Sequence, residues 1–140
     1  MAGHLRKAGH EVVGWNRTPA KAEPLRALGG EIAPGLASLA AQCRVVFLCV
    51  SRSEDVRECL EAMVPTAQPG TLFVDHSTIA PGAAHEIASW LTDLGFRFLD
   101  APLTGGSMGA ANGTLTVFVG GEASDFAEAE PILAAYAKKA

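Results

Sequence analysis

The unbroken apolar run Val45-Val46-Phe47-Leu48-Cys49-Val50 constrains this chain more than any other feature. A strand with one wet face alternates apolar and polar residues. An uninterrupted run of this length instead reads as a strand covered on both faces, the situation of a parallel sheet with helices above and below it. The neighbouring pattern agrees. A helix is expected from Ser51 to Met63, with Ser53 suited to its N-cap. Strand then helix recurs as Thr71–Asp75 and Ala80–Leu94, with Pro81 in the first turn and Gly95 as the C-terminal cap, before a strand at Arg97–Asp100. Upstream, a helix from Met1 to Ala8 closes at Gly9, and a short strand Glu11–Trp15 follows. Pro19 introduces a helix over Ala20–Leu28 that Gly29-Gly30 stops, ahead of a weak strand Glu31–Ala33 and a short helix around Ala37–Ala41.

The rhythm breaks from Ala101 to Gly113, a Gly-rich stretch predicted as a loop, and loops that long in a compact domain usually carry function. A strand at Leu115–Val119 and a last helix over Ala123–Tyr136, ending in Lys138 and Lys139, complete the chain. Strands alternating with helices imply right-handed crossovers. The expected fold is therefore one α/β domain over residues 1–140, a doubly wound, mostly parallel sheet of the Rossmann type. Such sheets bind ligands beyond the carboxyl ends of their strands, which directs attention to the residues after Trp15, Val50, Asp75 and Asp100.

Composition closes off other classes. Hydrophobic residues form 49% of the chain and charged ones 19%, as suits a covered sheet. The net charge is −4 and the 11 Lys and Arg are scattered, so no basic stripe awaits nucleic acid. No apolar stretch approaches the ~20 residues of a membrane span, and the N-terminus has no basic-then-apolar leader pattern, so a cytoplasmic location is expected. Cys43, Cys49 and Cys59 lack CxxC spacing and are expected as reduced thiols, with Cys49 a small buried hydrophobe. Metal and redox chemistry at these thiols are not indicated.

Asn16-Arg17-Thr18 follows the first strand, where sheets that bind NAD usually place a carboxylate for the ribose hydroxyls. None is present here. The Arg17 fork with Asn16 and Thr18 suits the 2′-phosphate of NADP(H), and a solvated arginine in a turn is the competing reading. In Ser51-Arg52-Ser53 backbone amides at a helix start suit a ribose or phosphate, and Ser53 serves equally well as a cap. In Asp75-His76-Ser77-Thr78 the two hydroxyls suit a ligand or a helix cap, while His76, without a partner carboxylate or nucleophile, is read as structural or solvent-facing and given no catalytic role. The stretch from Asp100 to Leu115 has glycines that let amides approach a ligand closely, so that with a hydroxyl they cradle a carboxylate; a flexible loop without a ligand is the alternative.

That last stretch resembles the substrate signature of the β-hydroxyacid dehydrogenases, the group of 3-hydroxyisobutyrate dehydrogenase, tartronate semialdehyde reductase and the cofactor domain of 6-phosphogluconate dehydrogenase. The family form reads Asp-Ala-Pro-Val-Ser-Gly-Gly, then Gly-Ala, Gly-Thr-Leu and Val-Gly-Gly. This chain matches it through Val119-Gly120-Gly121, with Leu103 and Thr104 in place of Val and Ser. The resemblance runs the whole length, Asn16-Arg17-Thr18 being similar to an NADPH-type loop. It implies that Thr104, Gly105 and Gly106 hold the substrate carboxylate and that Val50, Ser51 and Thr78 touch the cofactor, NADP(H) in preference to NAD(H). Two family features are not matched: a first strand with its Gly-x-Gly-x-x-Gly turn, and a catalytic lysine on a later helix, which Lys138 and Lys139 do not resemble. The chain is therefore expected to be a piece of a longer one, inactive alone, with unpaired edges on the strands ending at Trp15 and Val50.

The resulting expectation is the NADP(H)-binding domain of an oxidoreductase that transfers hydride between the cofactor and a small β-hydroxy acid or its semialdehyde, homo-oligomeric in full-length form. A non-catalytic nucleotide-binding or interaction module and an imine-reductase-like enzyme are the alternatives.

Overall fold

The computed structural model describes residues 1–140 and alternates strands with helices as the hydrophobic pattern requires. Its first half runs α1 (Ala2–Lys7), β1 (Val13–Gly14), a 3₁₀ turn (Pro19–Lys21), α2 (Glu23–Ala27), β2 (Glu31–Ile32), α3 (Leu36–Gln42), β3 (Val45–Leu48) and α4 (Ser53–Met63). The second runs β4 (Leu72–Asp75), α5 (Pro81–Asp93), β5 (Arg97–Asp100), β6 (Leu103–Thr104), α6 (Gly106–Asn112), β7 (Leu115–Val117), α7 (Ala123–Leu133) and β8 (Ala137–Lys139).

The centre is the parallel sheet β3-β4-β5, in a register that sets Leu48 beside Asp75 and Asp75 beside Asp100. Successive residues of a strand point to opposite faces, and this divides the core in two. Val46, Leu48, Phe73 and Phe98 join residues such as Leu60 and Leu91 on one side, under α3, α4 and α5. Leu72, Val74 and Leu99 join Leu115, Leu133 and Tyr136 on the other, under α7 and β7. Leu60, Phe73, Leu91 and Leu99 are fully buried, each burial contributing about 1.5–3 kcal/mol. Flanked on both edges, β4 is buried at every residue.

The other strands form a parallel pair, β1-β2, and a second three-stranded sheet, β6-β7-β8, in which β6 runs antiparallel to β7 and β8 parallel to it. β1 pairs only with β2, and β3 only with β4. Between their open edges lies a cleft of about 1170 Å³ whose walls include Leu5, Val13, Trp15, Val45 and Phe47. The unpaired edges expected on the strands ending at Trp15 and Val50 are thus present, and they leave Val45 and Phe47 only partly buried.

Several local expectations are corrected. The stretch Ala101–Gly113 is not a structureless loop: it contains β6 and α6. Its glycines hold bends, since Gly106 opens the helix at φ 64° and Gly113 closes it at φ 69°. Gly109 is buried against Leu115, whose Cδ2 would lie 3.1 Å from an added Cβ. The last helix ends at Leu133, because buried Tyr136 turns the chain so that residues 137–139 pair with β7; Lys138 and Lys139 lie on a strand. Neither Ser53 nor the Ser77-Thr78 pair caps a helix, as α4 begins after Arg52 and α5 after Ala80. Cys49 is exposed, because β3 ends at Leu48 and the chain has left the sheet.

Candidate functional site

The register that aligns Leu48, Asp75 and Asp100 also aligns the chain exits beyond them. The chain exits Cys49–Ser51, His76–Thr78 and Ala101–Pro102 therefore emerge side by side at the carboxyl end of the parallel sheet, the last leading at once into β6. Short main-chain bonds carry the pairing past the last rung. The His76 N–H donates to Leu48 O at 2.7 Å, and the Ala101 N–H donates to Asp75 O at 2.7 Å. The Val50 N–H donates to Ser77 Oγ at 2.8 Å.

His76 is committed to structure. It is 3% exposed, with Nδ1 at 2.7 Å from Ala101 O and Nε2 at 2.6 Å from the Tyr136 hydroxyl. A carbonyl only accepts, so Nδ1 carries the proton and Nε2 accepts from the tyrosine O–H. Burial pushes the imidazole pKa down, favouring this neutral form, and pushes that of the Tyr136 hydroxyl up. Neither ring nitrogen is free for acid–base work, and of the structural and solvent-facing readings the buried ring follows the first.

Asp75 and Asp100 lie next to one another at the strand ends. Asp75 Oδ1 accepts the Ser77 N–H at 2.9 Å, while Asp75 Oδ2 and Asp100 Oδ1 are buried without a partner. Burial raises the pKa of both carboxyls, and the Asp100 charge raises that of Asp75 further.

On the far side of the cleft, Asn16 Oδ1 accepts the Thr18 N–H at 2.9 Å and so shapes the turn after β1. Arg17 extends from this turn, 72% exposed, with one ion pair of 3.6 Å to Asp55 of α4. Arg52 binds the same carboxylate at 3.3 Å and also faces Glu54 at 3.8 Å. Hydrogen bonding from Arg52 above all holds the Asp55 pKa below the usual carboxylate range, with Arg17 contributing. Both guanidinium groups are largely exposed, and Arg17 is the one held by a single long contact. Asn16, Arg17, Thr18, Val50 and Ser51 all line the one cleft. Thr78, Thr104, Gly105 and Gly106 are exposed but lie outside it, Thr78 on the turn after β4, Thr104 at the end of β6 and the two glycines at the start of α6.

Thr104 pairs across β6–β7 with Thr116, and the chain then bends through Gly105 at φ 130° and Gly106 at φ 64°. An added Cβ on Gly106 would meet nothing within 4 Å, so the surface there is open. The far end of α6 is held by α1, where His4 Nε2 lies 3.0 Å from the carbonyls of Ala110 and Ala111. Local sequence carries no sign of three partners in this site. Asp55 between two arginines, Ser77 beneath Val50 and Tyr136 on His76 are all brought in by the fold, though Arg52 and Asp55 do have the spacing of helix neighbours.

A family model described as the NAD binding domain of 6-phosphogluconate dehydrogenase matches residues 1–140. An uncharacterised oxidoreductase of Synechocystis is 42% identical over 145 residues, covering 99% of this chain and 50% of that protein. The structure of Mycobacterium tuberculosis 3-hydroxyisobutyrate dehydrogenase with L-serine superposes with a TM-score of 0.95 at 36% identity, over 99% of this chain and 47% of that one. The imine reductase of Myxococcus stipitatus with NADP+ shares the fold at a TM-score of 0.90 and 20% identity, over 99% of this chain and 49% of that one. The chain spans about half the length of the curated relatives it matches.

Proposed function

Because the chain belongs to the β-hydroxyacid dehydrogenase family, matching the NAD binding domain of 6-phosphogluconate dehydrogenase throughout residues 1–140, we propose that it holds NADP(H) for hydride transfer to or from a small β-hydroxy acid or its semialdehyde. One observation carries this reading. The chain exits of β3, β4 and β5 stand side by side at the carboxyl end of a parallel sheet, and the third leads through β6 to an exposed hydroxyl and two exposed glycines.

Bound across these turns, the cofactor supplies or accepts the hydride. Val50, Ser51 and Thr78 border it. Arg17, with Asn16 and Thr18, takes the 2′-phosphate; the absence of a carboxylate from this turn and a largely exposed guanidinium held by a single long contact support NADP(H) over NAD(H). Thr104 and the amides of Gly105 and Gly106 orient the substrate carboxylate, which the open space above Gly106 leaves room for. Both nitrogens of His76 are bonded, so proton transfer is not assigned to it. The cleft between β1 and β3 supports a further parallel strand between their open edges, leading into α1 through a glycine-rich turn.

A hybrid in which residues 1–140 replace the matching residues of the Mycobacterium tuberculosis enzyme tests the reading. It is expected to oxidise 3-hydroxyisobutyrate with NADP+, and Thr104→Val, which removes the hydroxyl at nearly constant shape, is expected to raise KM for the acid while leaving that for the cofactor unchanged. Reduction of a cyclic imine without turnover of any hydroxy acid would move the chain to the imine reductases. Dinucleotide binding without turnover of either would leave a binding module.

A further inference from the structure

In a parallel ladder a residue of one strand bonds to the residues on either side of its opposite number, so the His76 N–H that reaches Leu48 O should be followed by Val50 N–H on His76 O. The second bond is replaced. The Val50 N–H donates to Ser77 Oγ at 2.8 Å, and the Ser77 N–H donates in turn to Asp75 Oδ1 at 2.9 Å. Ser77 is 2% exposed and Asp75 fully buried, so neither side chain faces a ligand. A hydroxyl standing in for a main-chain carbonyl lets the exits of β3 and β4 diverge while their separation stays set. On either side of this link stand exposed Ser51 and exposed Thr78.

We propose that Ser77, oriented by Asp75, is a positioning residue that fixes the gap between the Val50–Ser51 turn and the Thr78 turn, and with it the width of the cofactor seat. This rests on the reading of those turns as cofactor-binding and deepens it, since Ser77 itself touches no cofactor. Nothing else in the structure ties the Val50 amide: its partner lies 27 residues away and is a side chain. Losing an acceptor under a buried donor leaves that donor unpaired, and the turn is then free to move toward water.

Ser77→Ala removes the acceptor, and Ser77→Cys keeps the volume but offers only a weak one. In the hybrid enzyme, amide exchange at Val50 is expected to quicken about tenfold in both variants, with Val74 in mid β4 changing less than about twofold. In the hybrid enzyme, KM for NADPH is expected to rise about tenfold in both variants with kcat kept within about threefold. General destabilisation would instead lower the active fraction, and so kcat, without moving KM. Unchanged Val50 exchange would overturn the proposal, as would wild-type KM in Ser77→Cys, which would make volume and not hydrogen bonding the requirement. Should Ser77→Ala fail to fold, Ser77→Cys decides alone. If the unsubstituted hybrid binds no dinucleotide, the cofactor reading falls and the proposal with it. If that hybrid binds NADPH and the variants' KM does not move, the proposal alone falls.

Discussion

Asp55 decides how firmly Arg17 is held in the absence of a ligand. Its carboxylate is shared with Arg52, which contacts it through two nitrogens at 3.3 Å, while Arg17 reaches it once at 3.6 Å. A phosphate bound there as proposed would compete only with this single long contact. In the hybrid enzyme, Arg17→Ala should raise KM for NADPH about tenfold to a hundredfold, the loss of about 1.5–3 kcal/mol from a charged hydrogen bond, and leave KM for NADH within about twofold. Equal effects on both cofactors would remove the phosphate role. At the other end of the site, His76 makes stability depend on pH. Burial depresses its folded pKa below 6.5, so near neutrality both folded and unfolded states hold it neutral. As the pH falls below about 6.5 the unfolded chain takes up a proton that the folded one refuses, and stability drops until the folded pKa is passed. The buried Asp75 and Asp100, with raised pKa values, act in the opposite sense: stability lost as pH rises through their folded values is regained on acidification. The difference between the urea-unfolding stabilities of wild type and His76→Gln isolates the histidine; it should be independent of pH above about 7, and wild type should lose stability relative to the variant toward pH 5.

Single elements end where a particular residue leaves no other geometry. Gly121 sits at φ 147° between the bridge Asp100–Gly120 and the start of α7, and a Cβ there would lie 2.6 Å from Leu99 Cδ2 and 3.1 Å from Phe98 O. Both strain and overlap oppose any side chain. Gly121→Ala should cost about 1–3 kcal/mol, read as a lower urea midpoint at unchanged slope. Gly82, in the first turn of α5, has nothing within 4 Å of the same added atom and an ordinary φ. Gly82→Ala should therefore stabilise by about 0.4–1 kcal/mol, and a loss there would refute the conformational argument for the pair.

Across the whole molecule, stability follows how many neighbours each strand has. β4 lies between β3 and β5 with a helical layer on one face and α7 with β7 on the other, whereas β1 and β2 pair through two residues each and face the 1170 Å³ cleft. Amide exchange should accordingly be slowest at Phe73 and Val74 and fastest, among strand residues, in β1 and β2. Equal protection in the two sheets would show that the cleft is closed in solution. The arginine-bearing turn after β1 belongs to the weaker sheet, and its ion pair to α4 crosses from one to the other.

Much of this was legible in the residues alone. The unbroken apolar run announced β3 and a covered sheet, Gly9 and Gly95 marked helix ends that the structure places at φ 94° and φ 86°, and Pro81 opened α5. These are local effects: backbone freedom, a missing amide, a period of two or 3.6 residues. The Asp100-to-Gly121 signature was legible too, as a motif, but not its shape, because α6 is held by Leu115 and His4 and not by helix propensity. Tertiary structure alone decided that the chain after Tyr136 forms a strand, that Cys49 is exposed, that Asp55 lies between two arginines, and that Ser77 holds Val50. Each of those outcomes depends on a partner distant in sequence or on what a strand edge faces, and neither quantity is encoded in the run of residues around it.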